Sequence, residues 1–175
     1  EYTYLGAHNE RGDGVINYLA WDFYYTLIQH TNIAIRGFKK TLTEEERKDK
    51  KIRYSVGEAY AFRAYAYHQL VQLFAKRYNA STAASDPGVV MRTDEATNAQ
   101  LYEKARRGTV AEAYELIESD LKMAMETLKD LDQNNSRNHL RYSTVCGIAA
   151  RVALCKSDWA AAETYAKEAI ANANS

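Results

Sequence analysis

The sequence predicts an all-α fold of stacked antiparallel helix pairs interrupted by one long irregular insertion. Three observations point there. Apolar residues recur at three- and four-residue spacing over most of the chain, with no run of strict alternation. Two Thr-x-x-Glu capping boxes, Thr43 to Glu46 and Thr109 to Glu112, precede such stretches. Alanine is abundant on the periodic faces, where helices must approach closely.

A first helix is expected over about 16–38, with Leu19, Phe23, Leu27 and Ile28 on one side. The second is expected over 44–78, capped at Thr43, with Ser55 and Gly57 marking a kink or restart. Projected at about 100° per residue, Ala59, Phe62, Ala66, Leu70 and Leu73 fill one arc and Tyr60, Ala64, Tyr67, Val71 and Phe74 the adjoining one. A helix apolar over so much of its surface belongs between neighbours, so its aromatic density reads as a packing seam. On its narrow polar side the projection puts Tyr65 and His68 in the open. Arg63 falls inside the apolar arc, where an unpaired guanidinium is costly, so it requires a carboxylate, with Asp120 or Asp22 as partner.

Residues 79–108 read as irregular, with the chain's one proline in Asp86-Pro87-Gly88 and an apolar run Val89, Val90, Met91. Such length is too great for a simple connection and implies a surface excursion with a contact role. A third helix is expected over 109–131, with Val110, Tyr114, Ile117, Leu121, Ala124 and Leu128 as its stripe. A fourth is expected over 142–156, carrying Val145, Ile148, Ala149, Val152 and Leu154. Ser157 or Asp158 caps a fifth over 158–173, whose stripe of Trp159, Ala162, Ala166, Ala169 and Ile170 lacks a partner helix. The pairing expected is therefore 16–38 with 44–78 and 109–131 with 142–156, the last helix standing alone. SDWAAAETYAKEAIA, from Ser157 to Ala171, is similar to a tetratricopeptide repeat helix, which makes the expected arrangement a tetratricopeptide-like α-α superhelix.

Composition excludes several functions. At 175 residues with 46% hydrophobic content the chain can bury a core as a single unit. Lys plus Arg and Asp plus Glu number 23 each, so no basic excess favours nucleic acid. No apolar run approaches the roughly 20 residues that span a bilayer. Cys146 and Cys155 stand nine residues apart on one predicted helix, about 13 Å along its axis, so they cannot pair with each other. His8, His30, His68 and His139 have no partner at a metal-ligand spacing, and no phosphate-binding glycine loop or nucleophile elbow is present. Glu44, Glu45 and Glu46 beside Arg47, Lys48, Lys50 and Lys51 read as a solvated helix start rather than catalytic carboxylates. Catalytic residues, cofactors and metals are thus expected to be none. Asn79 to Ser81 and Asn134 to Ser136 match the glycosylation sequon, a pattern short enough to arise by chance. Of the fourteen tyrosines, Tyr25, Tyr60, Tyr67 and Tyr114 sit on packed stripes, whereas Tyr2, Tyr4, Tyr78 and Tyr102 lie in predicted loops and remain candidates for ligand or partner contact.

Six ordered blocks carry a resemblance to a known family. Asn9 to Val15 (NERGDGV) precedes a W-x3-Y-x2-I-x3-N array of Trp21, Tyr25, Ile28 and Asn32. GEAYAFRAYAYHQLVQLF, DPGVV, RGTVAEAYELIESDL and YSTVCGIAARVALCKSDWAAAETYAKEAI follow in order. Together they resemble the SusD/RagB family over nearly the whole chain. The resemblance implies a surface-exposed, lipid-anchored outer-membrane protein that binds nutrient, most often a glycan and sometimes a peptide, beside a SusC-like TonB-dependent transporter. It implies that this chain is the helical N-terminal region, 1–175, of a longer protein, facing the transporter, with ligand contacts largely elsewhere. The sequence starts at Glu1 without a signal segment or the lipidated cysteine such proteins carry, which fits a processed piece whose anchor lies outside it. The competing reading is a generic helical-repeat scaffold that recruits a protein partner.

Overall fold

The computed structural model describes residues 15–96, 103–131 and 139–173. Helix α1 (Val15–Lys40) and α2 (Lys50–Phe74) form the first antiparallel pair; α3 (Val110–Leu128), α4 (Tyr142–Cys155) and α5 (Trp159–Ala171) follow. The only strands among the described residues are β1 (Pro87–Val90) and β2 (Arg107–Thr109). The all-α expectation holds, and the differences from the sequence reading lie in phase, termini and pairing.

The buried face of α1 is rotated from the predicted one. Ile28, Thr31, Asn32 and Ile35 are buried, with Trp21, Tyr24, Tyr25, Leu27 and Phe38 packed against them, whereas Leu19 and Phe23 are exposed. The competing spacing Trp21, Tyr25, Ile28, Asn32, Ile35 wins because it runs through the full length of the helix, while the predicted stripe covers only its first half.

The Thr43 box does close, with the Thr43 backbone N–H donating to Glu46 Oε2 at 2.8 Å and Glu46 N–H to Thr43 Oγ1 at 3.3 Å. It opens only a 3-10 turn, Glu46–Lys48. Asp49 is the cap of α2, accepting from the N–H groups of Lys51 and Ile52. The helix then runs unbroken through Gly57 and ends at Phe74, four residues before the expected end. Gly57 is there for proximity: a Cβ on it would lie 2.8 Å from Leu128 Cδ2, so the glycine lets α2 and α3 close on each other. The double arc of α2 is buried at Ala59, Tyr60, Ala64, Ala66, Tyr67, Leu70 and Val71. Phe62 and Leu73 depart from it, at 37% and 56% exposure. His68 departs the other way: it is buried against the Tyr114 ring, because α3 covers the side that the projection left open.

The 79–108 excursion is not wholly irregular. Its two arms pair antiparallel as β1 and β2, with Pro87 opposite Thr109 and Val90 opposite Arg107. A Cβ on Gly88 would sit 2.4 Å from the Thr109 carbonyl oxygen, so the approach of the arms requires glycine there. The capping box at Thr109 is complete, and every member of the predicted α3 stripe is buried.

Helix α5 is not alone. It packs along α4, more extensively than α4 packs on α3, through buried Ala162 and part-buried Tyr165 and Ala169. Tyr142 also donates to Glu168 across this pair at 2.8 Å. Asp158 is the cap, accepting from Ala161 N–H, and Ser157 adopts φ 62° at the turn. Trp159 and Ile170, predicted on the buried stripe, are 65% and 76% exposed, and Leu154 of α4 is also exposed, since α4 covers only the alanine side of α5.

Candidate functional site

The chemistry of this chain is concentrated at one interior node, built where α1, α2, α3 and the excursion meet. Arg63 on α2 is 3% exposed. Its Nε and Nη2 donate to Asp120 Oδ2 and Oδ1, both at 2.7 Å, so the expected partner is on α3 and the pairing is bidentate. Asp22, the alternative, is exposed on α1. The remaining nitrogen, Nη1, donates to Asn32 Oδ1 and to Asp94 Oδ1, again at 2.7 Å each. Asp94, from the excursion, also receives Lys39 Nζ at 2.8 Å. Two cations thus face two carboxylates, and the cluster is neutral as a whole.

Burial works against the charge of Asp94, but hydrogen bonds from Arg63 and Lys39 outweigh it and pull the carboxyl down to about 2. Asp120 is buried more deeply, and desolvation raises its carboxyl despite Arg63, while its two oxygens still accept two guanidinium hydrogens. Desolvation lowers the Arg63 pKa, but the bonds to Asp120 and Asp94 overcome it, so the guanidinium stays charged.

The same region straps the excursion to the helices. Tyr25 Oη donates to the Val90 carbonyl at 2.7 Å, and Tyr67 Oη donates to the Arg92 carbonyl at 2.6 Å. Asn32 Nδ2 donates to that same carbonyl at 2.9 Å, and Arg36 reaches the carbonyls of Asp94 and Ala96 at 2.9 and 2.7 Å. Each predicted member of the W-x3-Y-x2-I-x3-N array therefore has a structural task. Trp21 packs on Tyr25 and Phe74, Tyr25 holds the strap, Ile28 fills the core and Asn32 joins the node. Sequence reasoning missed Asp94 and Asn32 as partners of Arg63, and Lys39 as the second cation on Asp94. The signal for Asp94 was an acid within a segment expected to make contacts, but a segment without periodicity gives no projection to place it.

The other candidates resolve as follows. Tyr78 is part-buried, its ring edge-on to Tyr114 at 5.0 Å and under Lys156 Nζ at 5.3 Å, so it is a packing residue. Tyr2, Tyr4, Tyr102, His8 and the Asn134 sequon lie outside the described residues. In the other sequon, the Asn79 side chain is engaged in its own turn, accepting from Ser81 N–H and Oγ. Cys146 is buried, Cys155 part-buried, and both are free thiols. Burial and then the nearby Arg151 charge lower His68 to about 4, leaving a neutral imidazole beside Gln72. Among the described residues no group of His, Cys, Asp and Glu is placed to hold a metal ion, and no helix is long and apolar enough to cross a membrane.

A groove of about 520 Å3 opens between α3, α4 and α5. Two shallower ones, about 410 and 420 Å3, lie between α1 and the start of α2, and beside Tyr78.

An interior given over to fixing an excursion against stacked helices, with grooves between them, defines a helical-repeat scaffold. The family model described as "Starch-binding associating with outer membrane", SusD-like, matches residues 4–154, and the chain belongs to that family. Among solved structures, a SusD superfamily protein from Bacteroides thetaiotaomicron is 26% identical at TM-score 0.75, over 88% of this chain and 32% of that one. A sugar-binding protein from Bacteroides vulgatus, so described without proof of its activity, is 28% identical at TM-score 0.73, over 86% and 32%. A laminarin-binding SusD-like protein, 18% identical at TM-score 0.65 over 83% and 28%, shares the fold. The chain therefore spans about a third of the length of these solved relatives. A comparison with curated proteins gave no significant match.

Proposed function

We propose that this chain is the helical scaffold region of a glycan-binding component of an outer-membrane nutrient uptake complex. The match of the starch-binding family over residues 4–154 carries this reading. In it, a longer lipid-anchored protein sits at the cell surface, captures oligosaccharide and works beside a TonB-dependent transporter, to which the helical region turns. Its task is capture, without bond-making or bond-breaking, and it needs no cofactor. The architecture supports that role: the strapped excursion and close-packed helix pairs give a rigid frame, and rigid frames hold binding loops at low entropic cost.

The test is a binding screen of the full-length protein against neutral and acidic glycans and peptides. Saturable binding of a glycan class supports the reading. Binding of peptides alone makes the cargo peptide, and uniform failure to bind either leaves the protein-recruiting scaffold in its place.

A further inference from the structure

Helix α1 buries one face and leaves the opposite one uncovered. Leu19, Phe23, Thr26, His30, Ile33 and Gly37 follow one another at alternate spacings of four and three residues. At about 100° per residue they fall within an arc of about 80°, centred opposite the buried Ile28. Leu19, Phe23 and Ile33 are each more than half exposed, so no other described element covers this stripe. We infer that it is the seam of a two-fold dimer, in which α1 of a second copy lies along it antiparallel.

The face carries its own complement, which is what an isologous contact requires. In an antiparallel pair centred on residue 28, Leu19 meets Gly37 of the second copy, Phe23 meets its Ile33 and Thr26 meets its His30, each layer occurring twice. Large residues thus meet open space: a Cβ on Gly37 would have nothing within 4 Å, and the groove of about 410 Å3 beside it, lined by Ile33, Ala34, Phe38 and Ile52, receives the protruding Leu19. The Thr26 and His30 layer is polar, with a hydroxyl facing an imidazole, the kind of layer that fixes register. Charge points the same way. Asp22 borders the stripe on one side, exposed and without an ion-pair partner among the described residues. Arg36 lies on that same side, held by the carbonyls of Asp94 and Ala96 and by no carboxylate among the described residues. The antiparallel register sets Asp22 against Arg36 of the second copy and Gln29 against Gln29, while the other border brings Ala20 to Ala34 and Leu27 to Leu27. A parallel pair would set Gly37 against Gly37 over a void and Asp22 beside Leu27, and an uncharged apolar partner would leave Asp22 and Arg36 unmatched. The contact is one helix face, about 27 Å from Leu19 to Gly37, smaller than a standard interface, so the dimer is expected to be reversible and micromolar.

The experiment is sedimentation equilibrium of the purified full-length protein, with cysteine crosslinking to read the register. A reversible monomer–dimer equilibrium is expected. Ile33→Glu should raise its Kd by at least about tenfold, since it buries a carboxylate in the seam twice per dimer, while the exposed position leaves the fold intact. Asp22→Lys, which sets like charges together at Arg36, should weaken the dimer as well. A short bis-maleimide should join Gln29→Cys into a covalent dimer, because the two copies of residue 29 lie about 3 Å apart along the axis. The two copies of residue 22 lie about 18 Å apart, so Asp22→Cys should stay unlinked. The unsubstituted protein controls for Cys155, the part-buried free thiol. Equal linking at both positions means a parallel pair or random collision and overturns the antiparallel dimer. A dimer that Ile33→Glu leaves untouched overturns it too. So does a full-length protein that stays monomeric at every concentration, which assigns the stripe to another part of the protein or to a different partner.

Discussion

Removing the Arg63 guanidinium leaves Asp120 without a cation and Asp94 with Lys39 alone, in an interior where Asp120 cannot be rehydrated without opening the fold. Arg63→Met should therefore cost about 3–5 kcal/mol in urea unfolding, the loss seen when one partner of a buried ion pair is deleted. Asp94→Asn keeps the shape and a hydrogen-bond acceptor and should cost less than Arg63→Met. The approach to this site from sequence succeeded in part: the helical projection placed Arg63 inside the apolar arc and offered Asp120. It offered Asp22 equally, since facing elements leave no trace in the spacing of either helix.

At the same scale His68 sets a pH dependence. Its pKa is depressed in the fold, to about 4 from the ordinary 6.5, so between those values the unfolded chain takes up a proton that the folded chain refuses. Stability should fall as pH drops through that window, by up to about 3 kcal/mol from this residue. Asp94 adds a second loss lower down, from the ordinary carboxylate value of 3.8 toward about 2. Urea midpoints between pH 7.5 and 4.5 check the first effect: His68→Phe should flatten the slope, and an unchanged slope would assign it to other groups.

At the scale of elements, the α2–α3 contact depends on Gly57 meeting Leu128. Gly57→Ala gains helix propensity but drives its methyl to 2.8 Å from the Leu128 side chain. Overpacking of this kind costs about 1–3 kcal/mol, so the net change in chemical unfolding should be destabilising, and Leu128→Ala in the same chain should recover part of the Gly57→Ala penalty. The sequence signals Gly57 as a possible break because glycine reads alike as a hinge and as a contact. Capping motifs were the most legible features: Thr109 and Asp158 work as expected. Thr43 illustrates the limit, since its box closes but a better cap at Asp49 takes the helix. Asp158→Ala should cost about 1 kcal/mol and fray the first turn of α5, which amide exchange at Ala161 would report.

Across the whole molecule, the strap from Val90 to Ala96 ties a non-periodic segment to α1 and α2 by side chains spread over both helices. This is why the excursion reads poorly from sequence, since its order comes from long-range bonds to Tyr25, Asn32, Arg36 and Tyr67. Stacked helix pairs were legible because each helix records its burial in its own periodicity. The pairing of α5 with α4 was not, because a stripe of alanines shows that something packs closely without showing what. Amide exchange should find the Arg92 N–H, which donates to Tyr67 Oη at 2.7 Å, as protected as the ends of α1 and α2, and loss of that protection in Asn32→Ala would locate the strap's hold at the node.

The most direct test of the functional account is affinity isolation of the native full-length protein from detergent-solubilised outer membranes, with mass spectrometry of whatever accompanies it. The account predicts a TonB-dependent transporter in stoichiometric amount. Recovery in the cytosol with soluble partners alone would contradict it and leave a helical-repeat scaffold for protein recruitment.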